Sequence, residues 1–350
     1  MAISKRAKRI FIFVGLSIAS IAVVLLLTVD ERTWEALSKV NPLFLLPFVG
    51  LWWISLSLDA FSLMLYARGT DEKLKYIPAM RTSTLRIFFN VVTPFTFGGQ
   101  PLSIVSLRHE GIPTGKASSI VITKLMTLIA LAVIIGITAF LVFNNKISNI
   151  TVLNNLFFVS GFLGVFFVTL IILGFLYPQF LVKLITKTGN LLRVVHIVKD
   201  TQQLKRDVIK TVCLARRSFK KYFSHHLGFF IGGTVCNGAG YFIQLFLLYL
   251  IFYGLGIEMP IVNGIILSAI LLFLMTFMPT PGAAGFGEGM FVLLFSATVP
   301  KYLLGIAIVL WRFFYQYLSA IIGAISSSKY VSDMISNRDR NKELHNQADI

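Results

Sequence analysis

Six apolar runs of at least 20 residues, at 10–29, 43–66, 117–143, 154–176, 225–253 and 302–325, leave this chain few ways to fold. No single soluble core absorbs that many long blocks, whereas a ~30 Å hydrocarbon layer takes about 20 apolar residues per helical crossing. Inside that layer every backbone polar group must be satisfied internally, so the runs are expected as helices. Of the 350 residues 56% are hydrophobic and 13% charged, about half the charged share of an ordinary soluble domain. The expected class is therefore an all-α, polytopic membrane protein.

The first run follows Lys5, Arg6, Lys8 and Arg9, as a signal peptide would. It is too long for a signal core, has no small-x-small cleavage site, and ends at Asp30-Glu31-Arg32. It reads as a retained span. The net charge of +17 sits between apolar runs and not on a polar domain, which points to membrane orientation and anionic lipid, with no nucleic acid partner. Cys213 and Cys236 fit no metal spacing and are not expected to pair. No cofactor is expected.

Lys and Arg alternate between loops. They are dense before the first run, in 66–82 (Arg68, Lys73, Lys75, Arg81), throughout 177–224 and in the tail (Lys329, Arg338, Arg340, Lys342). The intervening loops hold Arg32 and Lys39 against three acids, then Lys146, then Glu258 with no cation. The positive-inside rule places both termini and the 177–224 stretch in the cytoplasm of a cell (plasma or inner) membrane. That stretch sets Leu204, Val208, Ile209 and Val212 at helical spacing beside its cations, the pattern of an interfacial amphipathic helix. One transmembrane domain is expected over 1–330, followed by a polar tail, 331–350.

Two further apolar regions, 83–116 and 261–299, are broken by proline and glycine. With six full spans and both termini inside, each must enter and leave on one side. Two opposed re-entrant helical hairpins satisfy this, and two short full spans (261–279 and 285–299) keep the same parity. The breaks resemble each other. Thr93-Pro94 precedes Gly98-Gly99-Gln100, and Thr280-Pro281-Gly282 precedes Gly285 and Glu288. Lys124 follows Pro94 by 30 positions, and Arg312 follows Pro281 by 31. Weak internal symmetry of opposite topology is the signature of inverted-repeat transporters.

Proline and glycine interrupt a helix, and a helix restarting at membrane depth offers free amides and its positive dipole end to an anion. A glycine-rich packing kink is the plainer reading; two matched breaks, each with a cation, favour the anion site. Ionisable groups inside spans are costly, which makes them functional candidates. Lys124 and Arg312 are the candidate ligands for an anionic headgroup, with Gln100 and Glu288 at equivalent points of the breaks and Tyr315, Gln316 and Tyr317 completing a polar lining. Asp59 reads equally as a partner for a neighbouring helix or as a direct participant. Arg108, His109 and Glu110 read as a solvated interfacial cluster, and His225-His226 as an interfacial pair. Asn149-Ile150-Thr151 is a glycosylation sequon on an outside loop. Gly111 to Lys116 is one residue too short for a phosphate-binding loop, and no HExxH, CxxC or serine elbow occurs.

The chain resembles the lysylphosphatidylglycerol synthase transmembrane (flippase-like) family over about 10–330. The resemblance rests on Thr93-Pro94 with Gly98-Gly99-Gln100-Pro101, Gly111-Ile112-Pro113, Pro279-Thr280-Pro281-Gly282 with Gly285 and Glu288-Gly289, and Trp311-Arg312 with Tyr315 and Tyr317. Gln100, Ser103 and Lys124 stand where Glu, Arg and Arg are frequent, departures that bear on the headgroup and not on the fold. The resemblance implies translocation of lipid between leaflets, by a stand-alone member without an aminoacyl-transferase domain. The expectation is thus a non-enzymatic transporter of an anionic phospholipid or polyprenyl-phosphate-type lipid, with a homo-oligomer left open. The expected substrate-binding set is Thr93, Pro94, Gly98, Gly99, Gln100, Lys124, Pro281, Gly282, Gly285, Glu288, Arg312 and Tyr315. The alternatives are a non-catalytic membrane subunit for a separate glycosyl- or aminoacyl-lipid transferase, and a small-anion transporter.

Overall fold

The computed structural model describes residues 34, 35, 38, 43, 45–93, 98–147, 151–176, 217, 221, 222, 224, 226–278 and 280–326. The run at 10–29, the basic stretch up to 216, Pro94, Pro279, Cys213, His225 and the tail after 326 lie outside the described residues.

Every regular element among the described residues is helical. The long apolar runs become α1 (Leu45–Arg68), α4 (Thr114–Ile147), α5 (Thr151–Leu176) and α6 (Leu227–Gly254). The last run becomes α9 (Lys301–Arg312), which continues through a π-helical turn (Phe313–Tyr317) to Ser326. Four of these, over 45–68, 114–142, 227–254 and 301–326, are long and apolar enough to cross a bilayer. Their outer faces carry large exposed apolar side chains such as Ile134, Leu141, Val235 and Ile321. In water such a surface would aggregate; in a bilayer it is the lipid face. The protein is a multi-pass membrane protein.

Each broken region folds as a pair of unequal helices. The first gives α2 (Tyr76–Val92, 17 residues) and α3 (Gly99–His109, 11 residues). The second gives α7 (Ile261–Thr276, 16 residues), a 3-10 turn (Pro281–Ala283) and α8 (Phe286–Phe295, 10 residues). At 1.5 Å per residue the short limbs reach only about 15–17 Å, roughly half of the hydrocarbon core. One boundary differs from the sequence reading. Helix α2 starts at Tyr76, inside the stretch read as a basic loop to residue 82. Pro78 in its first turn allows this, because the amide it lacks would have no intrahelical partner there.

Two large apolar cores, and a small third cluster of Val91, Ala284 and Ala320, hold these elements. The larger joins α4 to α9 around Phe252, Phe273, Phe291 and Phe295. The smaller gathers the C-terminal half of α1, α3 and the start of α4 around Tyr66, Leu107, Ile120 and Tyr222. A polar layer caps the smaller core at the basic-loop end, where Lys116 pairs with Glu72 (2.6 Å), His226 with Asp71 (3.0 Å) and Arg81 with Glu110 (3.8 Å). Arg108 and His109 are exposed beside it, as an interfacial cluster should be.

Candidate functional site

Breaking a helix frees carbonyls as well as amides, and at the second break the carbonyls decide the geometry. Gly282 and Ala283 both adopt positive φ (57° and 54°), and Gly285 does so again at 80°. For alanine this left-handed backbone costs about 1 kcal/mol and persists only where its surroundings fix it. Arg312 does the fixing. Its Nη1 donates to the Gly282 carbonyl (2.9 Å) and to Gln316 Oε1 (2.8 Å), and its Nη2 to the Ala283 carbonyl (3.0 Å) and Glu288 Oε2 (2.8 Å). Gln316 Nε2 adds a bond to the Gly282 carbonyl (3.3 Å). The π turn starts immediately after Arg312 and contains Gln316. Glu288 Oε2 also accepts the Gly285 amide (2.8 Å). Arg312 and Glu288 are each 1% exposed.

Arg312 was expected to bind an external anion; instead four of its five donors are spent within the protein. The planar fork suits this role because it spans two successive carbonyls and a carboxylate at once.

The first break is held by side chains from α2. Thr93 Oγ1 donates to the Phe89 carbonyl (2.6 Å) and accepts the Gly98 amide (3.1 Å). Asn90 Oδ1 accepts the Gly99 amide (2.9 Å). Helix α3 starts so close to α2 that a Cβ on Gly99 would lie 2.2 Å from the Arg86 carbonyl oxygen, so only glycine fits. The amides of Gly98, Gly99 and Gly285 were expected to face an anion. Each already has an internal acceptor, because a restarting helix satisfies its orphan donors with the nearest capping oxygen.

The charge available to a ligand lies elsewhere. Lys124 Nζ faces Asp59 Oδ2 at 2.9 Å and donates to the Asp59 carbonyl, while Arg86 Nη2 donates to Asp59 Oδ1 at 2.8 Å. One carboxylate thus serves two cations. Lys124 is buried, whereas the Arg86 and Asp59 side chains keep 12% and 18% exposure. The Asp59 pairing reading is met, and the residue lines the cavity as well. Sequence reasoning missed Arg86. It lies inside the broken region read as 83–116, where the apolar composition hid it, although an arginine four residues before Asn90 shares that residue's helix face.

Between the two breaks lies a cavity of about 200 Å³, several times the ~30 Å³ share of one liquid water. Asp59, Arg86 and Gln100 line it on one side, Gly282, Ala283, Tyr315 and Gln316 on another, and α6 adds Asn237, Tyr241 and Gln244. The structure therefore brings Gln100, Gly282 and Tyr315 to one space. Lys124 stands behind Arg86 in a small adjoining cleft with Ser83, Gln100 and Ser103. Thr93, Gly98, Gly99, Pro281, Gly285, Glu288 and Arg312 build the breaks and do not line the cavity.

Among known proteins, the chain is 23% identical over 344 residues to a "UPF0104 membrane protein" of Archaeoglobus fulgidus, covering 91% of this chain and 98% of that one. The family model of the lysylphosphatidylglycerol synthase TM region matches residues 12–323, a stretch that includes both breaks, the cavity and α1 to α9 as described. The chain belongs to the lysylphosphatidylglycerol synthase TM region family.

Proposed function

We propose that this protein moves an anionic, phosphate-bearing lipid between leaflets, binding its headgroup in the cavity between the breaks. The observation that carries this reading is a charge surplus. Around the breaks, among the described residues, Arg86, Lys124 and Arg312 share only Asp59 and Glu288. Arg312 and Glu288 neutralise each other, so the surplus falls on the pair that shares Asp59, and Arg86 of that pair lines the cavity. Cations in a low-dielectric setting need a counter-charge, and a phosphate supplies it. The acyl chains stay in the bilayer while only the headgroup enters the protein. No bond is made or broken, so the protein acts as a transporter and not as an enzyme.

On this reading the two unequal helix pairs are opposed re-entrant hairpins of an inverted repeat, and both termini are cytoplasmic. Their matched limbs, 17 and 11 residues against 16 and 10, support it. Each hairpin gates one face, and rocking of one repeat against the other gives alternating access.

Reconstitution tests the reading. Liposomes carrying the protein should move fluorescent phosphatidylglycerol between leaflets, Arg86→Ala should cut the rate at least tenfold, and Arg86→Lys should keep part of it, since lysine retains charge without the fork. Wild-type rates in Arg86→Ala would remove the basis of the proposal.

A further inference from the structure

The charged side of the cavity accounts for a phosphate but leaves the opposite wall unexplained. Tyr241 is 7% exposed and lines the cavity, and its hydroxyl has no hydrogen-bond partner among the described residues. A buried hydroxyl without a partner is destabilising, so its presence calls for a cause. Gln244 lies three residues further along α6, hence on the same helix face, and lines the same cavity. Gln100 lines it from α3. Neither glutamine's side chain hydrogen-bonds a described residue. The other carboxamides of the lining differ. Asn237 Nδ2 donates to the Lys124 carbonyl (3.3 Å) and Thr127 Oγ1 (3.1 Å), and Gln316 is held by Arg312 and Gly282.

Three uncommitted polar groups, all neutral and all able both to donate and to accept, therefore face one cavity beside a single positive surplus. A hydroxyl group is also donor and acceptor at once, which makes it the natural complement of a carboxamide or a phenol. An ammonium-bearing headgroup fits poorly, because it finds no unpaired carboxylate and adds to an existing positive charge. We infer that the cavity selects a lipid whose phosphate carries an uncharged polyhydroxyl group, a sugar or polyol, with Arg86 on the phosphate and Tyr241, Gln244 and Gln100 on the hydroxyls. The inference rests on the lipid-translocation reading and adds the substrate class to it. A site built to bond hydroxyls discriminates strongly against an analogue lacking them, because its own groups are then left unpaired.

Binding is the test, read separately from transport. Native mass spectrometry of the full chain in detergent should show phosphatidylinositol retained at least tenfold more than phosphatidic acid or an aminoacylated phosphatidylglycerol. Tyr241→Phe combined with Gln244→Leu should lower the phosphatidylinositol-to-phosphatidic-acid ratio at least fivefold. Tyr241→Phe alone should melt no lower than wild type, because it removes a hydroxyl with no partner among the described residues. Equal retention of phosphatidylinositol and phosphatidic acid would overturn the inference, as would a ratio unmoved by the double variant. Inositol 1-phosphate displacing phosphatidylinositol at equal concentration would overturn the lipid assignment in favour of a soluble phosphate. The two readings fail separately. Selective retention without translocation in liposomes sinks the transport reading and leaves this one standing, and unselective translocation does the reverse.

Discussion

The two breaks start from similar sequence and reach opposite electrostatic states. Arg312 gives three of its five donors to the second break and a fourth to Gln316 one turn along its own helix. Arg86 gives one, to Asp59, and turns toward the cavity. The second break is a closed clamp around a strained turn, and the first is an open charge beside a space. The difference teaches that a buried cation near a helix break is not by itself a ligand site. What it does depends on whether the break supplies enough acceptors to consume it. Two carbonyls left over at Gly282 and Ala283 consume Arg312, whereas at the first break Thr93 and Asn90 satisfy the amides and leave the cations to Asp59 alone.

The comparison can be broken at its closed end first. Arg312→Ala leaves a carboxylate at 1% exposure without its cation, the Ala283 carbonyl without its donor and the Gly282 carbonyl with only the longer bond from Gln316. Removing one partner of a buried pair costs about 3–5 kcal/mol. Size-exclusion chromatography in detergent should show loss of the folded peak, a far larger effect than that expected for Arg86→Ala. A well-folded Arg312→Ala protein that merely fails to bind lipid would make both breaks ligand sites and erase the distinction.

A smaller effect is expected at the shared carboxylate. Asp59→Asn keeps the shape but removes the counter-charge of Arg86 and Lys124, at a cost of about 2 kcal/mol for charged hydrogen bonds. Thermal unfolding should fall modestly while retention of phosphatidylglycerol rises, since two cations then face one phosphate. Weaker retention would mean that Asp59 positions Arg86 instead of competing with the lipid for it.

The smallest effect belongs to the caps. Asn90→Ala removes the acceptor of the Gly99 amide, and losing a cap of this kind costs about 1 kcal/mol. The melting temperature should drop by a few degrees, with the Gly99 amide left unpaired. If the variant instead bound phosphate more tightly at unchanged stability, the amides at the first break would be part of the ligand site after all.

Much of this molecule is written locally. Hydropathy run length decides that a segment is a long apolar helix, because the hydrocarbon thickness sets the number of residues needed. Proline and glycine decide where two of those helices break, because their effects on the backbone act within a residue or two. Both breaks, the cations Lys124 and Arg312, and the residues Gln100, Gly282 and Tyr315 were therefore visible without a structure. Pairing was not. Asp59 meets Arg86 across 27 positions and Lys124 across 65, and Arg312 reaches Gly282 across 30. No periodicity encodes such contacts. Only the packing of α1, α2 and α4 around one carboxylate, and of α9 against the second break, decided which cation was spent and which was left facing the cavity. The sequence determined how many charges enter the membrane, and the tertiary structure determined which of them is free to hold a ligand, because neutralisation depends on distances that only the folded chain sets.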